Sequence, residues 1–101
     1  MALTQIDQYE VLYSANTFAP RIWLKSGGKF IGQLVFHPDG APLPPDSTVS
    51  GQVNLNYHLA NFENVIDLLR NEKPMFLLFN GSGPGFENAV KTTPEPLGEG
   101  E

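Results

Sequence analysis

The fold is decided by residues 53–79, which read VNLNYHLANFENVIDLLRNEKPMFLLF. Over residues 53–59, apolar and polar side chains alternate, and this period of two predicts a strand with one buried face. Over residues 62–69, apolar side chains recur every three or four positions, which predicts a helix with one apolar face. Residues 75–79 are apolar without interruption, so they are expected to form a short strand covered on both faces.

Upstream of this stretch, the pattern predicts three strands. The first two are expected at residues 9–14 and 22–25, because apolar and polar side chains alternate there. Residues 26–28, Ser-Gly-Gly, predict a tight hairpin, since paired glycines supply the positive φ angles that such turns require. The return strand is expected at residues 29–37, with a bulge or sharp bend at Gly32.

Prolines and glycines mark the remaining boundaries. Proline-rich residues 41–50 are expected to form an extended, irregular loop. The helix is expected to begin at a capping Asn61 and to end at Lys73-Pro74, where proline removes a backbone donor. A glycine-rich loop at residues 80–85 and a last strand at residues 87–93 complete the pattern.

This order of elements predicts an α+β fold, a small and mostly antiparallel β-barrel of five to six strands with one helix. If the two segments before Gly27 form one bent strand, the order is that of an OB-like barrel, and an SH3-like barrel fits almost as well. Antiparallel pairing is expected throughout most of the barrel, because only the helix offers a crossover long enough for a parallel pair.

The chain has 101 residues, a size typical of one domain, and its 41% hydrophobic content suffices for a core. Cysteine is absent, which excludes a disulfide framework and a thiolate metal site. We therefore expect a single globular domain over residues 1–93. Residues 94–101 contain three of the eleven acids and no base, which predicts an acidic, disordered tail.

The net charge of −5 falls to −2 when the acidic tail is left out, so the expected domain is nearly neutral. Binding of nucleic acid or of an anionic membrane needs a clustered basic face. The near-neutral charge of the domain therefore disfavours both partners. No apolar segment approaches the roughly 20 residues that span a bilayer. The start of the chain, residues 1–7, has neither a basic region nor an apolar run, so a cytoplasmic protein is expected.

The sequence contains no recognisable catalytic or metal-binding motif. The two histidines, His37 and His58, are far apart and have no neighbouring second ligand, so no metal site is predicted. Ser82 lies in a Gly-Ser-Gly sequence, but it is not on a turn between a strand and a helix. The glycines of residues 81–85 precede no lysine-bearing helix start, so no phosphate site and no cofactor are predicted. A non-catalytic protein is favoured.

Two strand faces are candidate recognition surfaces. Arg21, Trp23 and Lys25 point the same way on one strand, and an aromatic ring between two bases can anchor a protein partner or stack on a nucleobase. The alternative is that Trp23 belongs to the core. Asn54, Asn56 and His58 form a second row, whose polar side chains could bind an extended peptide, a sugar or a second copy of the chain.

Three functions follow from these observations. The leading hypothesis is a small binding module that recognises a protein partner or associates with itself as a homodimer. The second is an OB-type single-stranded nucleic-acid binder that uses the Trp23 row. The third is a small-ligand binder or enzyme at the barrel mouth, near His37, Asp39 and residues 81–86.

Overall fold

Eight strands, one 3₁₀ turn and one helix are formed by residues 2–83 and 85–93, which the computed structural model describes. The predicted tail, residues 94–101, lies outside this part of the chain. The elements are β1 (Ala2–Ile6), β2 (Gln8–Leu12), β3 (Arg21–Ser26), β4 (Lys29–His37), β5 (Ser47–Val49), β6 (Gln52–His58), the 3₁₀ turn (Leu59–Asn61), α1 (Phe62–Asn71), β7 (Met75–Phe79) and β8 (Ala89–Thr92).

The strands form two sheets. The large sheet has the order β2-β3-β4-β6-β5, and the small sheet has the order β1-β7-β8. The α+β class, the single helix and the mostly antiparallel pairing are therefore confirmed. The closed barrel is not found among the described strands, so the expected OB-like or SH3-like closure is wrong. The chain bends at Asp7 and passes from the small sheet into the large one, which splits the strands between two layers instead of closing one sheet.

The extra strands are β1 and β5. Neither has a strong alternating pattern of its own. Each forms because it pairs with a neighbouring strand through backbone hydrogen bonds, β1 with β7 and β5 with β6. The pair β4–β6 is parallel, which contradicts the expectation that only the helix could connect parallel strands. Residues 38–51 make this connection: they pass β6, form β5 at the edge of the sheet and return. A crossover needs a dozen or more residues, and this segment supplies them without a helix.

The hairpin between β3 and β4 has the predicted turn. Gly27 and Gly28 have φ angles of 61° and 79°, a region that side chains disfavour. The register shifts beside Gly32, as the sequence predicts for a bulge. Glycine is required there for a second reason, because a Cβ atom at Gly32 would lie 2.5 Å from the carbonyl oxygen of Val53 on β6.

The helix buries the predicted face. Val65 and Leu69 are 4% and 8% exposed, and Phe62 and Ile66 pack against the same core. Asn61 occupies the N-cap position, but its side chain makes no capping hydrogen bond, which corrects the expected cap. Among the described residues, no helix is long and apolar enough to cross a membrane.

Asp39 supports the start of the helical segment from a distance. Its Oδ1 atom accepts a hydrogen bond of 2.8 Å from the backbone N–H of Ala60 in the 3₁₀ turn. A carboxylate is well placed there, because the first turns of a helical segment leave N–H groups without a backbone partner. The loop after β4 therefore helps to fix where the helix begins.

The core lies between the two sheets and the helix. Phe36 of β4 is fully buried, and its ring stacks on Tyr57 at 5.5 Å and meets Phe62 edge-on at 4.8 Å between centroids. The inner face of the large sheet, the small sheet and the helix all contribute to one cluster of buried apolar residues: Ile6, Ile22, Leu24, Leu34, Phe36, Leu55, Val65, Leu69, Met75 and Leu77. These elements form a single domain.

Two adjacent leucines of the helix test this arrangement. Leu69 is 8% exposed and Leu68 is 38% exposed, so the two differ in burial but not in chemistry. We expect Leu69→Ala to lower the free energy of unfolding by about 2 to 5 kcal/mol, because it leaves a cavity. Leu68→Ala is expected to cost less than about 1 kcal/mol. Urea denaturation measures both changes, and equal losses would contradict the assigned helical face.

Candidate functional site

The two faces of β3 have different environments. Ile22 and Leu24 are fully buried on the inner face, whereas Arg21, Trp23 and Lys25 lie half-buried on the opposite face. We call this opposite side of the large sheet the outer face. The helix and the small sheet pack against the inner face. Trp23 is therefore on the outer face with the two bases, as its position in the alternation predicts.

Trp23 is packed against a second aromatic ring. Phe30 of β4 meets it edge-on, with 5.9 Å between the ring centroids and an interplanar angle of 82°. This geometry is favoured by the charge distribution of aromatic rings, and it orders the indole on the sheet surface. Across the ladder, Trp23 lies opposite Glu10 of β2 and Gln33 of β4.

The two bases beside Trp23 are engaged within the chain. Lys25 Nζ lies 3.6 Å from Glu10 Oε1, so the lysine charge is balanced at the surface. The Arg21 guanidinium lies 5.8 Å from the ring centroid of Phe18, a cation–π distance. Phe18 is 63% exposed, so this pair extends the apolar surface beyond the edge of the sheet.

The parallel pairing of β4 and β6 places the second predicted row on the same face as the first. Asn54 lies opposite Gln33, and the Gln33 side-chain amide donates a hydrogen bond of 3.0 Å to Asn54 Oδ1. The row Glu10, Trp23, Gln33 and Asn54 thus crosses four strands. The sequence did not indicate this row, because Gln33 joins its two halves only through pairing between distant segments.

Asn56 and His58 have internal roles that the sequence did not indicate. Asn56 Oδ1 lies 2.8 Å from His37 Nε2, and its amide nitrogen donates to the carbonyl oxygen of Pro45 at 3.2 Å. His58 Nε2 lies 3.0 Å from the carbonyl oxygen of Ala41. Both side chains therefore hold the proline-rich loop after β4 against the large sheet, so their polar atoms are engaged within the chain.

Asp46 joins three parts of the chain, and sequence reasoning did not single it out. Its Oδ1 atom accepts the backbone N–H of Asn56 at 2.9 Å, and its Oδ2 atom accepts the side-chain amide of Asn88 at 3.0 Å. The same Asn88 amide donates to Gly81 O at 2.9 Å, and Asn88 Oδ1 accepts the Asn80 N–H at 2.7 Å. One carboxylate thus ties β6 to the loop between β7 and β8.

The residues proposed for a barrel-mouth site have separate structural partners. His37 binds Asn56 and Asp39 binds the backbone of Ala60. An open cleft of about 610 Å³ lies beside Asp46 and Asn56, but these two residues are already hydrogen-bonded to each other. Over residues 2–83 and 85–93, no three His, Cys, Asp or Glu side chains come together as metal ligands.

Among the described residues, Tyr57 is the titratable group whose pKa departs clearly from its ordinary value. Burial raises the pKa of its phenol above the ordinary value of 10.0, and the nearby Asp46 carboxylate raises it further. A hydrogen bond with the backbone of Val90 lowers the pKa, but burial has the larger effect. The phenol is therefore neutral at physiological pH, and its hydrogen bond with Val90 links β6 to β8.

Comparison with known proteins provides no relative from which a function could be transferred. No protein-family model, curated protein sequence or solved structure matches this chain.

The Asp46 network is tested by removing its carboxylate. Asp46→Ala leaves the Asn56 N–H and one of the two side-chain N–H groups of Asn88 without their acceptor, so we expect the free energy of unfolding to fall by about 1 to 3 kcal/mol. Asp67→Ala, on the exposed side of the helix, removes the same charge and is expected to change it by less than about 0.5 kcal/mol. Chemical denaturation at neutral pH compares them. A loss for Asp46→Ala no larger than that of the control would show that the network is not stabilising.

Tyr57 predicts a loss of stability at alkaline pH. Because its folded-state pKa is raised, the native protein holds this proton more tightly than the unfolded chain does. Its contribution is present below pH 10 and is lost as the pH rises through the folded-state value. Tyr57→Phe should therefore show a smaller drop in unfolding free energy than the unmodified protein between about pH 8 and about pH 11. Equal drops would contradict the raised pKa.

Proposed function

We propose that this protein is a non-catalytic binding module that recognises a protein partner through the outer face around Trp23. The observation that carries the proposal is the position of the Trp23–Phe30 pair, on the side of the large sheet opposite the helix and the small sheet. An aromatic pair contributes most to stability when it is buried in a core. Its place on the outer face is better explained by a surface that becomes buried on binding.

The arrangement around Trp23 resembles the anatomy of a protein–protein interface. Such interfaces have an aromatic centre, where a few residues supply most of the affinity, and a polar rim. Here Trp23 and Phe30 form the centre, and Glu10, Gln33 and Asn54 lie in the same cross-strand row. The Gln33–Asn54 hydrogen bond fixes the amides before binding, which lowers the entropy lost when a partner binds.

The charges of the outer face favour a protein over a single-stranded nucleic acid. A nucleic-acid groove combines stacking rings with unneutralised bases that follow the phosphate backbone. Lys25 is paired with Glu10, and Arg21 packs over Phe18. The face therefore has an aromatic centre beside one neutralised base and one base packed on a ring, which suits a partner of mixed polarity better than a phosphate backbone. That partner is either a different protein or a second copy of this chain.

Replacement of Trp23 tests the proposal, because it is the only tryptophan in the chain. A tryptophan anchor is often worth 2 kcal/mol or more, so Trp23→Ala should weaken binding at least about 30-fold. The unmodified protein, Trp23→Ala and Leu68→Ala would each be immobilised. The amount of each protein that they retain would then be compared. The last variant removes an exposed side chain of the helix and serves as the matched control. Light scattering would detect self-association in the same samples.

The proposal predicts a partner that is lost with Trp23→Ala, kept with Leu68→Ala, and able to change the Trp23 fluorescence when purified and added. Identical retention by all three proteins would contradict it. Salt-sensitive binding to single-stranded DNA that depends on Trp23 would support the nucleic-acid alternative instead. Unfolding of Trp23→Ala in the absence of any partner would assign the indole to the core.

A further inference from the structure

A groove runs between β2 and the helix, away from the outer face. β2 is the last strand of the large sheet, so one of its edges has no neighbouring strand among the described residues. The Tyr13 ring lies 5.5 Å from that of Phe62 at the start of α1, while Tyr9 shares a cleft with Leu69 and Asn71 at its end. The helix therefore lies antiparallel to β2. We call the space between them the β2–α1 groove.

The groove consists of two adjoining clefts. The lower cleft, of about 570 Å³, lies between residues 5–9 and residues 69–75. The upper cleft, of about 560 Å³, lies between Tyr13 and residues 62–70. Arg70 borders both clefts, so they meet at this residue. A strand of five residues spans about 17 Å and a helix of ten residues spans about 15 Å, so the two walls match in length.

Apolar side chains are exposed along this groove. Tyr13 is 66% exposed and borders one of the clefts. Val11, two residues before it on the same side of the chain, is 41% exposed but lines neither cleft. Ile66 and Phe62 of the helix form the facing wall of the upper cleft. An open strand edge beside exposed apolar side chains is the arrangement by which sheets take up an additional strand from a peptide.

The rim of the groove is acidic. Glu63 and Asp67 border the upper cleft, and Asp7 and Glu72 border the lower one, against two bases, Arg70 and Lys73. Among the described residues, none of these four acids forms an ion pair within the chain. Asp7 accepts a hydrogen bond of 2.6 Å from the Gly27 N–H, so Glu63, Asp67 and Glu72 carry most of the acidic character of the rim. An excess of carboxylates over bases around an apolar groove is complementary to a ligand that carries both apolar and basic side chains.

We infer that the β2–α1 groove binds an extended peptide segment of another protein, whose side chains on the side of the groove include both apolar residues and lysine or arginine. The peptide adds to β2 as a sixth strand of the large sheet and forms main-chain hydrogen bonds with it. Its apolar side chains contact Val11, Tyr13 and Ile66. Its basic side chains reach the carboxylates at the rim, since their long aliphatic stems can lie along apolar surface.

A second copy of this chain fits the edge less well. Symmetric antiparallel pairing of β2 with itself over residues 8–12 would place Glu10 opposite Glu10 of the other copy. Like charges directly opposite each other destabilise a strand pair. The acidic rims of the two grooves would also face each other. The ion pair of Lys25 with Glu10 weakens the first repulsion, so the facing acidic rims are the main obstacle, and a basic partner removes it.

The experiment uses the full chain, labelled with ¹⁵N, and synthetic peptides of about eight residues, longer than a typical edge strand. The main probe carries valine and lysine in turn at every second position, with serine between them, so that both kinds of side chain face the groove. One comparison peptide has glutamate in place of lysine, and another carries proline at two central positions, where it cannot form the main-chain ladder. We expect the lysine peptide to shift the amide signals of residues 8–12 and 62–70, and the comparison peptides to bind at least about tenfold more weakly.

Two charge variants of the helix separate specific from general attraction. Asp67→Lys should weaken the lysine peptide at least about tenfold, because Asp67 borders the groove. Asn64→Lys adds one positive charge to an exposed position of the same helix that borders neither cleft of the groove, and it should leave the affinity within about twofold. Trp23→Ala should also bind within about twofold, which distinguishes this site from the outer face.

The inference is overturned if the lysine peptide shifts no amide signals at about 1 mM, which corresponds to a binding free energy near −4 kcal/mol. It is also overturned if the shifts lie outside the groove, if the proline peptide binds equally well, or if Asn64→Lys and Asp67→Lys have the same effect. Sedimentation that shows a dimer formed through β2 without peptide would assign the edge to a second copy.

Discussion

The burial of Phe36 is the constraint on which the rest of the structure depends. Its ring is fully enclosed, stacked on Tyr57 from the neighbouring strand and edge-on to Phe62 at the start of the helix. Phe62 in turn contacts Tyr13, just after β2. This chain of aromatic contacts fixes the helix across the large sheet. It thereby decides which face of the sheet is covered and where the β2–α1 groove opens.

The outer face follows from this choice by the geometry of a strand. Successive side chains point to opposite sides, so burying Ile22 and Leu24 under the helix and the small sheet places Trp23 on the other side. A sheet covered on one side normally carries polar residues on its open side. Trp23 and Phe30 depart from that pattern, and our proposal of a recognition surface on the outer face rests on this departure.

Asparagine and aspartate side chains hold several loops in place through hydrogen bonds. Asp46 ties β6 to the loop before β8, Asp39 holds the start of the helical segment, and Asn56 holds the proline-rich loop. Short polar side chains suit this purpose, because they bond backbone groups that no ladder satisfies. The same hydrogen bonds engage the side chains of Asn56 and His58 within the chain. A row of amides in a sequence can therefore serve to hold loops through hydrogen bonds.

The sequence by itself determined the elements whose signals are local. Three such signals depend on neighbouring residues alone: the alternation at 22–25, the helical spacing from Phe62 to Leu69 and the turn at Gly27-Gly28. They predict the strands, the helix and the shared side of Arg21, Trp23 and Lys25. Tertiary structure alone decided what depends on distant pairings. The two-sheet arrangement needs β1 to pair with β7, the Glu10-to-Asn54 row needs β4 beside β6, and the Asp46 network joins residues 42 positions apart. Such contacts form only when the core closes, because bringing distant segments together costs chain entropy. Burial of the whole apolar face offsets this cost, and no local pattern can.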